Sequence, residues 1–148
     1  MIRWMIRQRR GPFREVRVVV GNRLTKEVVY SPPLPEEVVL QVNTLVNWLN
    51  SDAVHQMHPV LVAGIAHYEL MRVHPFVDGN GRTARTLATL VLAMREFDIK
   101  RFFTLDDFYD RDRIAYYYVL KAVNQTYPNC TVWLDYFTEG VEISLHRV

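Results

Sequence analysis

Twelve consecutive residues gather the groups from which a reaction centre could be built: His74-Pro75-Phe76-Val77-Asp78-Gly79-Asn80-Gly81-Arg82-Thr83-Ala84-Arg85. Glycines just ahead of a helix let main-chain N–H groups come close to an anion. The helix N-terminus adds about half a positive charge at that point. Arg82 and Arg85 are three apart, share a helical face, and can both reach the same anion. Asp78 is a hard oxygen donor of the kind that binds Mg²⁺ alongside phosphates. His74 is the group in the stretch that can take up a proton near neutral pH. An anion cradle, a metal ligand, two cationic clamps and a base suggest group transfer from a nucleotide.

The pattern His-Pro-Phe-x-Asp-Gly-Asn-Gly-Arg-x-x-Arg resembles the signature of the Fic family, with every defining position filled. The resemblance extends from about Gly11 to Phe137. It implies a mainly α fold: a helical bundle with a small β-hairpin flap beside the active site. It implies His74 as the catalytic base on a target hydroxyl and Asp78 as the Mg²⁺ ligand. Phe76, Gly79, Asn80, Gly81, Arg82 and Arg85 are the nucleotide-binding candidates, with Gly79 to Arg82 on the phosphates and Arg85 on the distal one. The implied activity is protein AMPylation, the transfer of AMP from ATP to a Ser, Thr or Tyr hydroxyl of a target protein.

Length and composition suit that expectation. A chain of 148 residues with 49% apolar and 23% charged residues is the size of one domain with a proper core. Its longest apolar runs, such as Val60 to Ile65, are too short to span a membrane. Met1 to Arg10 carries arginines without the apolar core of a secretory leader. Cys130 is the single cysteine, so the sequence holds no disulfide framework, and a reducing cytoplasm is expected, with delivery to another cell left open. Seven arginines and one acid give residues 1–23 a charge of +6, leaving −4 for residues 24–148 of a chain whose total is +2. The reading is a basic arm over 1–10, solvated at its end, followed by a single domain over 11–148. Without a basic face on the body, nucleic acid is not the expected partner.

Positioning elements can be read on either side of the signature. Arg17 to Val20 and Lys26 to Tyr30 predict two strands joined by a Gly21-Asn22-Arg23 turn. This hairpin, within 16–30, resembles the Fic flap that holds an extended target segment by strand addition. Ser31-Pro32-Pro33-Leu34-Pro35 is a rigid connector delivering Pro35 to the first turn of a helix, with Glu36 and Glu37 beside it. Val38, Val42, Leu45, Val46 and Leu49 form that helix's apolar stripe. Ser51 to Met57 reads as a loop. A helix from Pro59 to about Arg72 leads into the signature; His67 is expected to be buried and hydrogen-bonded, and His67-Tyr68 is typical of the family. Thr83 to Phe97 is expected to be the central, most buried helix, with Leu87, Leu90, Val91 and Met94 inward. Asp98 to Phe103 is a connector. Thr104 could cap a short helix with Asp106-Asp107 in its first turn. A longer helix follows from about Asp112 to Asn124, where Arg113-x-x-Tyr116-Tyr117-x-x-Leu120 again resembles Fic, although the family usually has Asn in place of Asp112. Trp133-Leu134-x-x-Phe137 opens a last helix.

Other readings compete. Gly79-x-Gly81-x-x-Ala84 also fits a dinucleotide fingerprint, but that motif needs a strand before the glycines, and this segment is helix-patterned. His55 and His58 have no acid or cysteine at ligand spacing for a metal site. A non-catalytic Fic-like binding or regulatory module is an alternative. So is a phosphotransferase toxin like the Doc relatives, which usually carry lysine where Gly81 stands. Many Fic proteins carry an inhibitory Ser/Thr-x-x-x-Glu-Gly/Asn helix. Here Glu139-Gly140 follows Asp135, so the motif fails, and the hairpin begins close to Met1. The expectation is an uninhibited domain, restrained by a separate antitoxin-like helix partner or trimmed from a longer protein.

Overall fold

The computed structural model describes residues 13–21, 25–97 and 105–146, with the main chain alone at 105–107. The arm over 1–10, the Gly11-Pro12 breaker, turn residues Asn22 and Arg23, the connector over 98–103, the Thr104 cap and the last two residues fall outside them. Among the described residues two strands precede seven helices: β1 (Val20–Gly21), β2 (Val28–Tyr30), α1 (Pro35–Leu49), α2 (Asp52–His55), α3 (Pro59–Val73), α4 (Asn80–Met94), α5 (Leu105–Arg111), α6 (Arg113–Thr126) and α7 (Thr131–His146). The fold is the expected helical bundle with one antiparallel hairpin. The strands are shorter than the sequence suggests. Their register pairs Val20 with Tyr30 and Gly21 with Val28, with a bulge between. No helix among the described residues is long and apolar enough to cross a membrane.

The helix starts follow local chemistry. Pro35 occupies the first position of α1, and the Glu37 carboxylate reaches back to accept from the Leu34 N–H at 2.8 Å. Pro59 does the same for α3, where His58 caps by accepting the Val60 N–H on Nδ1 at 3.2 Å. Asp112 caps α6, its Oδ1 accepting from the Ala115 N–H at 2.9 Å. One expected loop is partly helical. Within 51–57, α2 forms with Asp52 in its first turn and the His55 ring closing back onto the Ser51 carbonyl at 2.9 Å, while the Ser51 hydroxyl donates to the Trp48 carbonyl at 2.7 Å and makes no cap bond.

The central helix is α3 rather than α4. It buries residues all round, from Val60 to Val73, and shares its largest contact with α4. Small residues make this possible: the Trp133 Nε1–H on α7 donates to the Gly64 carbonyl at 2.8 Å, and a Cβ on Gly64 would meet Leu134 and Phe137. For the same reason α4 turns Ala84, Ala88, Val91 and Leu92 inward, while Leu90 is 44% exposed. Two alanines one turn apart let the helix axes approach, and Leu87 and Leu90 are left on the flanks. Beneath the hairpin a second small core joins Val38 and Val42 of α1 to Val73 at the end of α3, with Phe13 against them.

Candidate active site

Five elements meet at one cleft of about 540 Å³. The end of α3 brings His74, the start of α4 brings Asp78 to Arg85, and β1 forms a wall with Val19, Val20 and Gly21. Tyr109 and Asp110 of α5, and Arg113, Tyr116 and Tyr117 of α6, close the far side.

His74 terminates α3 in the left-handed region, φ 50° and ψ 58°, its N–H bonded to the Leu70 carbonyl at 2.9 Å. Pro75 cannot continue the helix. The ring Nδ1 lies 3.2 Å from the Met71 carbonyl. A carbonyl can only accept, so Nδ1 carries the proton and Nε2 keeps its lone pair. Burial lowers the His74 pKa; the Met71 bond opposes this, and the nearby Arg14 charge adds to it. The imidazole is thus neutral at physiological pH and competent as a base.

Gly79, at φ 84°, is the N-cap of α4. That angle suits glycine, and a Cβ there would come within 3.3 Å of the Arg82 guanidinium. The first intrahelical bond joins the Thr83 N–H to the Gly79 carbonyl at 3.0 Å, so the N–H groups of Asn80, Gly81 and Arg82 precede the ladder and are the anion-binding end of α4. Arg82 and Arg85 both line the cleft. A Cβ on Gly81 would stand 3.3 Å from Arg85 Nη1, so a larger residue there would press on that arginine. Arg82 also faces Asp78 at 3.5 Å, a loose pair of side chains 76% and 93% exposed. Such a pair is worth well under about 1 kcal/mol and yields readily to another partner.

Two of the expected nucleotide-binding side chains are turned to a different task. Asn80 is buried, 3% exposed, and its amide grips one residue of its own loop: Oδ1 accepts the Phe76 N–H at 2.9 Å and Nδ2 donates to the Phe76 carbonyl at 2.8 Å. It fixes the loop and offers the cleft its main chain. Phe76 lies outside the cleft lining, its ring against Phe13 at 5.7 Å. The hairpin is tied to the same region. Tyr30 on β2 donates to the Arg72 carbonyl at 2.8 Å, and Glu27 pairs with Lys121 of α6 at 3.3 Å.

His67 departs from expectation. It is fully buried, yet neither ring nitrogen has a hydrogen-bond partner among the described residues. It sits instead among aromatic rings, stacked on Trp133 at 4.7 Å and close to Tyr109, Tyr116 and Phe137. Burial, aided by the Arg85 charge, pulls its pKa down to about 3. Of the three consecutive tyrosines of α6, Tyr116 is buried, Tyr117 is 46% exposed at the cleft, and Tyr118 is 73% exposed. The sequence reading missed two features. One is the Asp110–Arg113 pair at 3.2 Å, hinted at by opposite charges three apart at the α5–α6 junction. The other is Arg14, counted with the basic N-terminal cluster but only 3% exposed, for which the sequence gives no signal.

The helical bundle aims a helix N-terminus, two arginines, a carboxylate and a neutral histidine into one cleft, an anion-binding end set beside a base. A sequence profile of the Fic/DOC family matches residues 1–92, and the chain belongs to that family. The protein adenylyltransferase Fic of Drosophila grimshawi is 35% identical over 118 residues, covering 78% of this chain and 21% of that protein. Fic-1 (residues 134–508) from C. elegans superposes with a TM-score of 0.69 at 32% identity, covering 91% of this chain and 35% of that one. A Fic family protein from Desulfovibrio desulfuricans G20 shares the fold, with a TM-score of 0.76 at 22% identity over 92% of this chain and 40% of that one. The chain therefore spans about a fifth of the length of the curated relatives it matches. The helix that precedes Gly79, and the lack of any parallel sheet among the described residues, set aside the dinucleotide-fold reading.

Proposed function

We propose that this domain transfers AMP from ATP to a Ser, Thr or Tyr hydroxyl of a target protein. The observation that carries the reading is the shared cleft: a neutral histidine with its Nδ1 engaged and the N-terminus of α4 open onto the same 540 Å³. The names of the adenylyltransferase relatives support it.

The chain's own groups then divide the work. The main-chain N–H groups at the start of α4, with Arg82 and Arg85, bind the triphosphate and present its α-phosphorus to β1. The hairpin holds an extended target segment along β1, the strand that faces the cleft. As the target oxygen bonds to the α-phosphorus, His74 Nε2 takes its proton. The bond from the α-phosphorus to the bridging oxygen breaks, and pyrophosphate leaves. The guanidiniums meet charge that develops on the phosphates. The donor set around Asp78 fits Mg²⁺ arriving with the nucleotide: one exposed carboxylate, held only loosely by Arg82, beside the space for phosphate oxygens. Mg²⁺ bound there would neutralise phosphate charge.

A cytoplasmic setting fits the lone half-buried Cys130. Restraint by a separate helix-bearing partner fits too. Glu139 is exposed on α7, and the described residues lining the cleft belong to other elements.

The test uses ATP labelled at the α- or γ-phosphate, with Mg²⁺ and a cell lysate, followed by mass spectrometry of modified proteins. Label from the α position, and a mass increase of one AMP, support the proposal. Transfer from the γ position alone would make the domain a phosphotransferase. Nucleotide binding without transfer would make it a binding module.

A further inference from the structure

The reacting geometry depends on a histidine held in a backbone conformation that costs a non-glycine residue about 1–3 kcal/mol. Something must hold it there, and the structure contains one group built for the purpose. The Arg14 side chain runs beneath the end of α3, and its guanidinium donates to four main-chain carbonyls. Nε bonds His74 O at 2.7 Å, Nη1 bonds Val16 O at 3.2 Å, and Nη2 bonds Pro33 O at 2.6 Å and Val73 O at 3.3 Å. Its own N–H donates to the Pro75 carbonyl at 2.8 Å. Among the described residues no carboxylate pairs with it, so a buried cation is satisfied entirely by main chain. Peptide carbonyls on both sides of the His74 Cα are held, and a cation meets the negative end of the α3 dipole. Phe13 anchors the clamp from below, packed on Val38, Val42 and Val73.

We infer that Arg14 is a positioning residue: it fixes the His74 main chain and ring for proton transfer and ties that geometry to the base of the hairpin through Val16 and Pro33. This rests on the proposed role of His74 as base. Arg14 itself lies outside the cleft lining and touches neither the Gly79–Arg85 loop nor the space for the nucleotide. Its loss is therefore expected to act on transfer and not on nucleotide affinity. A displaced base costs on the order of 10²-fold in rate for about 1 Å. Lysine could keep the charge but, as a point donor, cannot span four carbonyls as the planar fork does.

The experiment compares wild type, Arg14→Met and Arg14→Lys with three readouts. The first is AMP incorporation from α-labelled ATP. The second is affinity for α,β-methylene-ATP with Mg²⁺, which binds without turnover. The third is NMR titration of the isotopically labelled His74 ring. The two cavities that His74 borders are also lined by Asp78, Arg82 and Arg85 of the signature, Asp110 and Arg113 opposite, Arg72 on its own helix and the phenols of Tyr30, Tyr68, Tyr109, Tyr116 and Tyr117. All of these stay in every variant, so a difference between variants reports Arg14. The expected result is transfer falling about 10²-fold in Arg14→Met and less in Arg14→Lys. Analogue affinity should stay within about two-fold, because no Arg14 contact reaches the cradle. The His74 pKa should rise in Arg14→Met and hold near wild type in Arg14→Lys. Wild-type transfer in folded Arg14→Met, or transfer and affinity falling in the same proportion, would overturn the inference. If Arg14→Met does not fold, Arg14→Lys is judged by the same two outcomes. If the wild type transfers no AMP, the proposed activity fails by itself. The His74 titration then still decides for or against the clamp.

Discussion

His67 offers a test of the interior that is independent of any activity. The perturbation is His67→Phe, which keeps a ring on Trp133 and removes two nitrogens that lack hydrogen-bond partners among the described residues. Burial holds the folded-state pKa down at about 3, whereas an unfolded histidine titrates at about 6.5. Between those values the unfolded chain binds a proton that the folded chain refuses, so acid favours unfolding. The neutral imidazole's contribution is fully present above about pH 6.5 and is lost as the pH falls towards 3. Its full size is about 5 kcal/mol, of which about 2 kcal/mol is already lost at pH 5. Against a total stability of about 5–15 kcal/mol for a domain of this size, that loss is readily measured.

The assay is urea unfolding of wild type and His67→Phe at pH 7.5 and pH 5.0. Other titrating groups, including His74 and the carboxylates, are common to both chains and cancel in the comparison. The loss of stability between the two pH values should be smaller in His67→Phe by about 2 kcal/mol. At pH 7.5 the variant should be no less stable than wild type, because an apolar ring of similar shape replaces polar atoms without partners. An identical pH dependence in the two chains would refute the reasoning and show that His67 is hydrated or paired in solution.

Four further outcomes are expected. His74→Ala should slow AMP transfer by about 10²–10⁴-fold with nucleotide affinity unchanged, measured by label incorporation beside calorimetry; an undiminished rate would remove it as the base. Asp78→Ala should weaken ATP binding in the presence of Mg²⁺ and leave metal-free binding alone, because its carboxylate is exposed and loosely paired. Val19→Pro removes an N–H from the hairpin segment that lines the cleft, and should slow modification of target proteins while sparing nucleotide affinity. Glu139→Gly should leave the transfer rate at its wild-type value, since that side chain is exposed on α7; a large rise would reveal a brake carried by this chain.

The elements were legible where a local rule decides them. Pro35 and Pro59 each open a helix, and the apolar stripe of α1 buries Val38, Val42, Leu45 and Leu49 as its period requires. The signature was legible because its glycines and charges are needed at fixed spacing. Centrality was only partly legible. The one-sided apolar stripe of α4 points to burial, but α3 carries more large apolar residues, spreads them all round its axis, and is narrow as well as apolar. Ala63, Gly64 and Ala66 on α3 admit neighbours that Leu87 and Leu90 on α4 would hold away. Hydropathy measures the tendency to leave water and says nothing of how near two axes can come.

The polar groups that shape the site were hidden for a related reason. In the sequence Arg14 is one of the seven arginines of residues 1–23, close to Arg17, which is exposed. Only the meeting of the hairpin base, the Pro33 connector and the end of α3 creates four carbonyls that a guanidinium can satisfy. Asn80 is a nucleotide-binding candidate by its place in the Fic-like signature, yet its amide is consumed by Phe76. In each case the side chain's task is set by main-chain groups from distant or reversed segments, and a main-chain carbonyl is the same in every residue type. A reading built on side-chain identity therefore finds the groups that face the cleft and misses those that hold it in shape. Substitutions at Arg14 and Asn80 separate these two classes, because each should disturb geometry without removing a group from the cleft.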